Sequence, residues 1–196
     1  MTASDEALMR AVREGDLSKL GLLFERYHLV LFEFLSRMTG NRHTAEDLVQ
    51  EVFVRILKYR ASYRDEALFR AWVYRIARNA RADHYAKRDR AVPLSQDPME
   101  SPNQDLGLES QLQRDRDAAR LRAALMELRA DRRELIVLAR YQELKHEAIA
   151  GLLGIETATV KVRIHRALKE LREKFMRLSE KPSCDAKTSQ SSLRII

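Results

Sequence analysis

The sequence predicts an all-α protein of two small helical domains joined by a flexible linker, the C-terminal one containing a helix-turn-helix. Three observations carry that expectation. The 196 residues hold only 6 Gly and 4 Pro among frequent Ala, Leu, Arg and Glu, a helix-forming composition. Apolar residues recur at three- and four-residue steps, and no strand-like alternation stands out. Three of the four prolines fall within residues 93–102, in an aperiodic stretch rich in Ser, Asp and Gln that reads as a linker. The expected divisions are a first unit over 1–90, a linker over 91–113, a second unit over 114–178 and a disordered Ser/Lys-rich tail over 179–196.

In the first unit, residues 6–14 read as a short helix ending at Gly15. A second helix over 17–38 stops at Gly40 and Asn41. Asn41 or Thr44 caps a third over 45–60, with Glu46 and Asp47 in its first turn, where the helix dipole favours carboxylates. A fourth, over 66–87, is amphipathic and increasingly basic. After the linker come helices over 116–128 and 132–142. Residues 144–172 then read as helix, turn, helix. Ile149, Leu152 and Leu153 suit a short first helix, and Gly154 stands where the turn needs a residue tolerant of positive φ. Thr157 or Thr159 can cap the second helix.

The net charge of +7 is unevenly spread. Residues 70–90 and residues 157–178 each carry +5, leaving −3 for everything else. Two basic patches on a slightly acidic background point to two contacts with a polyanion. The one cysteine, Cys184, excludes an internal disulfide framework and a Cys-based zinc cluster. No apolar run approaches the roughly 20 residues of a membrane span, and the polar N-terminus does not resemble a signal peptide. The expectation is a cytoplasmic, reduced protein without membrane insertion or cofactor.

Three constellations carry function. On the last helix Val160, Ile164, Ala167, Leu168 and Leu171 form one stripe to bury, and the opposite side carries Lys161, Val162, His165, Arg166, Lys169 and Arg172. Such a helix has the form of a major-groove reader, and Val162 is an apolar residue on a cationic face, where a thymine methyl fits. The third helix turns Ala45, Val49, Val52 and Ile56 to the core, leaving Asp47, Gln50, Glu51, Val54 and Lys58 outward, a face suited to docking a protein. Asp47 and Glu51 have no third or fourth partner for a metal, so a nucleic-acid enzyme is not indicated. The fourth helix interleaves aromatic and basic residues, the composition expected for single-stranded nucleic acid. There Trp72 serves either for stacking or as core.

These stretches, AEDLVQEVFVRIL, FRAWVYRIARNARADHYAKRDR and EAIAGLLGIETATVKVRIHRALKEL, resemble, in the same order, those of the extracytoplasmic-function group of sigma-70 factors of bacterial RNA polymerase. The resemblance implies an alternative sigma factor, not an enzyme, that directs core RNA polymerase to promoter DNA and is controlled by an anti-sigma factor. It assigns Asp47, Gln50, Glu51 and Val54 to the clamp helices of the polymerase β′ subunit, with further contacts to the β subunit. It assigns Trp72, Arg75, Arg78, Asn79, Arg81, His84, Tyr85, Lys87 and Arg88 to the −10 element and its melted strand. Thr159, Lys161, Val162, Arg163, His165, Arg166 and Lys169 are assigned to the −35 element. The chain departs from the family at Arg129 and Ala130, where a Pro is common, and at residues 143–146, Glu-Leu-Lys-His in place of Gly-Leu-Ser-Tyr. Val162 replaces a common Ser or Thr. The alternative reading is a stand-alone helix-turn-helix regulator, which would need a dimer interface or effector domain.

Overall fold

The computed structural model describes residues 3–64, 68–88 and 108–180, without the side chains of 108–112 and 180. The expected tail beyond 180, Cys184 and the Pro-rich segment before 108 lie outside the described residues. Helix α1 spans Asp5–Glu14, α2 Ser18–Thr39, α3 Arg42–Tyr59 and α4 Phe69–Arg88, with a 3-10 turn at Arg60–Ser62. Helix α5 spans Leu108–Met126, α6 Ala130–Ile136, α7 His146–Leu153 and α8 Thr157–Glu180. No strand occurs among the described residues.

The helix ends follow from local chemistry. Ser4 Oγ accepts from the Ala7 amide at 3.2 Å and caps α1, satisfying one of the amides that a helix start leaves orphaned. Gly40 closes α2 at φ 70, a left-handed conformation that costs a glycine little. Asn41 then caps α3 by accepting from the Thr44 amide at 2.8 Å, which decides between the two expected caps. At the start of α4, Glu6 of α1 accepts from the Phe69 amide at 3.3 Å.

Three expectations are corrected. Helix α5 begins at Leu108, six residues inside the stretch read as linker. The helix expected over 132–142 is α6 followed by a π turn over Val137–Tyr141. Neither Thr157 nor Thr159 caps α8. Val160 donates to the Glu156 carbonyl at 3.0 Å, so Glu156 holds the cap position and Thr157 is the first helical residue.

The first unit is centred on Leu31, Phe34 and Leu35 of α2, Val52 and Ile56 of α3, and Val73 and Tyr74 of α4, all fully or almost fully buried. Phe34 meets Tyr74 edge to face at 5.2 Å, a favoured aromatic geometry. The second unit closes around Leu135, Ile136, Leu138, Ile149, Val160 and Ala167. Burying each large apolar side chain contributes about 1.5–3 kcal/mol. The two cores are continuous, because α2 packs on α5, α6 and the π turn while α4 packs on α7. Arg133 crosses the junction. Its Nη1 donates to the Met38 carbonyl at 2.7 Å, while its remaining nitrogens bond the carbonyls of Leu125, Met126 and Leu128 at 2.7–3.1 Å. Arg37 lies 4.2 Å from the centre of the Tyr141 ring, a cation–π contact.

Candidate nucleic-acid interface

The α8 surface is set by which residues α5, α6 and α7 cover. All three helices pack on it. They bury Val160, Ile164, Ala167 and Leu171 and half-bury Leu168. That is the whole expected stripe. Lys161, Val162, Arg163, His165, Arg166, Lys169 and Arg172 are exposed, and Thr159 is half-buried at their edge. Val162 is 49% exposed among these cationic neighbours. A shallow groove beside this face is lined by Gly151, Gly154, Thr159 and Arg163. Gly154 makes the turn at φ 67, and Gly151 has nothing within 4 Å of where a Cβ would stand, so the groove floor is open. Two acidic residues are drawn into flanking ion pairs, while Glu156 lines the groove and Glu173 is exposed on α8. Glu170 pairs with Arg132 and with Lys174, and Glu127 with Arg177 and Lys174, which leaves the reading face cationic.

On α3, Asp47, Gln50 and Val54 are exposed, Val54 at 58%. Glu51 is half-buried, accepting from Arg55 Nε at 2.6 Å. Arg55 also donates to Asp83 of α4 at 2.7 Å, so the docking face is tied to the basic helix. Burial works against the Arg55 charge, but the two carboxylates more than offset it and raise its pKa. No group of three or more His, Cys, Asp or Glu positioned for a metal exists among the described residues.

Helix α4 does not present all of its assigned residues. Arg75, Asn79 and Lys87 are exposed, and Arg81, His84, Tyr85 and Arg88 are half-buried. His84 and Tyr85 pack edge to face at 5.6 Å. Trp72, expected among the strand-binding residues, is a correction. It is 4% exposed and packs against Tyr63 at 5.2 Å and Phe69 at 6.1 Å, with no ring face left for a base. Arg78 is half-buried in a two-pronged pair with Glu134, Nε to Oε1 at 2.8 Å and Nη2 to Oε2 at 3.2 Å. Its Nη1 donates to the Leu152 carbonyl at 3.2 Å.

Sequence reasoning missed Glu134 and Gln142, 6% and 3% exposed, and the buried Arg133. Gln142 accepts from Arg70 through its carbonyl and from the Tyr74 hydroxyl through its side chain. One signal was available. In a helix Glu134 shares a face with the apolar Leu138 and Tyr141, an odd place for a carboxylate without a partner.

Two packed helical units, one exposing a cationic helix-turn-helix and the other a basic helix, define a DNA-binding protein of all-α class. Sigma-70 region 2 matches residues 23–91 and Sigma-70 region 4 matches residues 118–171. The chain belongs to the sigma-70 family, in its extracytoplasmic-function group. It is 35% identical over 150 residues to the ECF RNA polymerase sigma factor SigE of Mycolicibacterium smegmatis, covering 73% of this chain and 56% of that relative's length. It is 33% identical over 175 residues to the RNA polymerase sigma factor CarQ of Myxococcus xanthus, covering 84% of this chain and 94% of CarQ. A similar solved structure is the sigma factor RpoE in complex with the anti-sigma factor NepR, from Bartonella quintana. It has a TM-score of 0.67 and 25% identity, covering 81% of this chain and 98% of RpoE.

Proposed function

We propose that the protein is an alternative sigma factor acting in the cytoplasm, giving core RNA polymerase its promoter specificity without catalysing a reaction of its own. The observation that carries this reading is the exposed Lys161-Val162-Arg163-His165-Arg166 face, held by a largely buried stripe in a chain matched by both sigma regions. Thr159, Lys169 and that face would read the −35 duplex, with cationic side chains on phosphate and base edges and Val162 supplying an apolar contact. Arg75, Arg78, Asn79, Arg81, His84, Tyr85, Lys87 and Arg88 would hold the melted −10 strand, while Asp47, Gln50, Glu51 and Val54 dock on the polymerase clamp. The structural likeness to a sigma factor bound to an anti-sigma factor supports control of this chain by such a partner. Extruding a base costs a few kcal/mol, which the polymerase complex must offset, so the free protein binds promoters weakly.

Reconstitution with core polymerase tests the reading. Promoter-dependent transcription should appear with the wild-type protein and be lost, with the fold intact, for Asp47→Arg combined with Val54→Asp. A chain that forms no complex with core polymerase, yet binds duplex DNA tightly alone, would instead be a stand-alone regulator.

A further inference from the structure

We propose that Glu156 sets a base preference in the −35 element, by requiring a base whose major-groove edge offers an exocyclic amine, cytosine before adenine. The inference deepens the promoter-reading assignment of α8 given above and rests on it.

Glu156 is the only acidic residue from 156 to 169. Its main-chain carbonyl takes the Val160 amide at 3.0 Å. That bond holds the residue at the tip of α8, the end that a recognition helix brings to base edges. The side chain is exposed and lines the same groove as Thr159 and Arg163. Among the described residues neither Glu156 nor Arg163 has a hydrogen bond or ion pair through its side chain. Gly151 and Gly154 of the groove carry no side chain, and nothing stands within 4 Å of where a Cβ would be. A base edge can therefore approach the carboxylate.

Local folding does not account for an acid at this place. The residues that cap helices well reach back to their own helix amides, and Glu156 makes no such bond. The helix dipole favours a negative charge here, but the same charge repels the phosphates of an approaching duplex. A matching base offsets that repulsion. A carboxylate has acceptors alone. Thymine O4 and guanine O6 and N7 are also acceptors, so either base leaves Glu156 desolvated and unpaired. Cytosine N4 donates to it. Adenine N6 donates as well, but beside an N7 acceptor that a carboxylate repels. Glu173, also exposed on α8, does not compete for this role. It lies about 25 Å further along the axis, beyond the N-terminal residues that reach base edges.

The test selects promoters from a pool with a randomised −35 region, using holoenzyme reconstituted from core polymerase and the full chain. Wild type should enrich cytosine over thymine or guanine about tenfold at one position. Glu156→Gln keeps the size and gains an amide that pairs with adenine in two places, so it should move that position to adenine and leave its neighbours unchanged. Glu156→Ala should flatten the preference there and bind the whole pool more tightly. Identical selected sequences for all three proteins, even with a raised affinity or a shifted urea midpoint, would overturn the inference and leave Glu156 a partner of the helix dipole alone. Changes spread over several positions in both variants would also overturn it, because α8 as a whole would have been reseated. A wild type that selects no −35 sequence would overturn the promoter reading of α8 and this inference with it, whereas a sharp selection indifferent to Glu156 overturns this inference alone.

Discussion

Arg55 of α3 reaches across to Asp83 of α4, Nη1 to Oδ2 at 2.7 Å, while its Nε holds Glu51 at 2.6 Å on its own helix. One guanidinium therefore couples the face assigned to the polymerase to the helix assigned to DNA. Both carboxylates are about half exposed, at 45% and 56%, so water screens the pairs and their worth is small. Arg55→Ala should cost about 1 kcal/mol by urea denaturation and weaken holoenzyme formation by releasing Glu51. Unchanged affinity for core polymerase would mean that Glu51 needs no orientation.

Glu143 adopts φ 50, the one positive φ outside glycine among the described residues. Here the chain holds a left-handed backbone with a side chain that crowds the carbonyl. Beside it the Leu144 amide bonds the Leu138 carbonyl at 3.0 Å as the chain leaves the π turn. Glu143→Gly should raise stability by about 1 kcal/mol, read as a higher urea midpoint at unchanged slope. A lower midpoint would show that Glu143 makes a compensating contact.

Val162 stands 49% exposed amid cations. Val162→Ser should leave stability and core-polymerase binding unchanged and alter preference at one base pair of the −35 element, by about 1 kcal/mol, the worth of one buried methyl group. Selection of promoter sequences with reconstituted holoenzyme measures this. Identical selected sequences for both proteins would place the base contact elsewhere on α8.

Burial pushes the Tyr74 hydroxyl up to about 12, with Arg70 opposing the shift. The folded value lies above the unfolded value of 10.0, so the protonated phenol's contribution is complete below that pH and is lost as pH climbs towards 12. The shift corresponds to about 3 kcal/mol. Ultraviolet titration of wild type against Tyr74→Phe should show curves that coincide up to pH 10 and separate near 12. A difference appearing near pH 10 would mean that Tyr74 is open to water.

Helix ends were legible because single residues carry them. Gly15, Gly40 and Gly154 all turn with positive φ where the periodic pattern stops. The α8 face was legible for the same local reason, since a stripe at helical spacing predicts its own opposite side. The docking of the two units was not, because it is made by isolated polar residues without a period, and a buried pair such as Arg78 and Glu134 looks in sequence like two solvated charges. Trp72 was ambiguous because stacking on a base and packing on Tyr63 ask for the same ring. The start of α5 was hidden by the polarity of residues 108–117, where helix and linker share a composition.

Arg133 collects four main-chain carbonyls, one from the end of α2 and three from the end of α5 and the turn after it. Carbonyls at a helix end lack partners within the helix and carry the negative end of its dipole. A single guanidinium thus terminates two helices of different units at once, a task for which a lysine ammonium has too few donors.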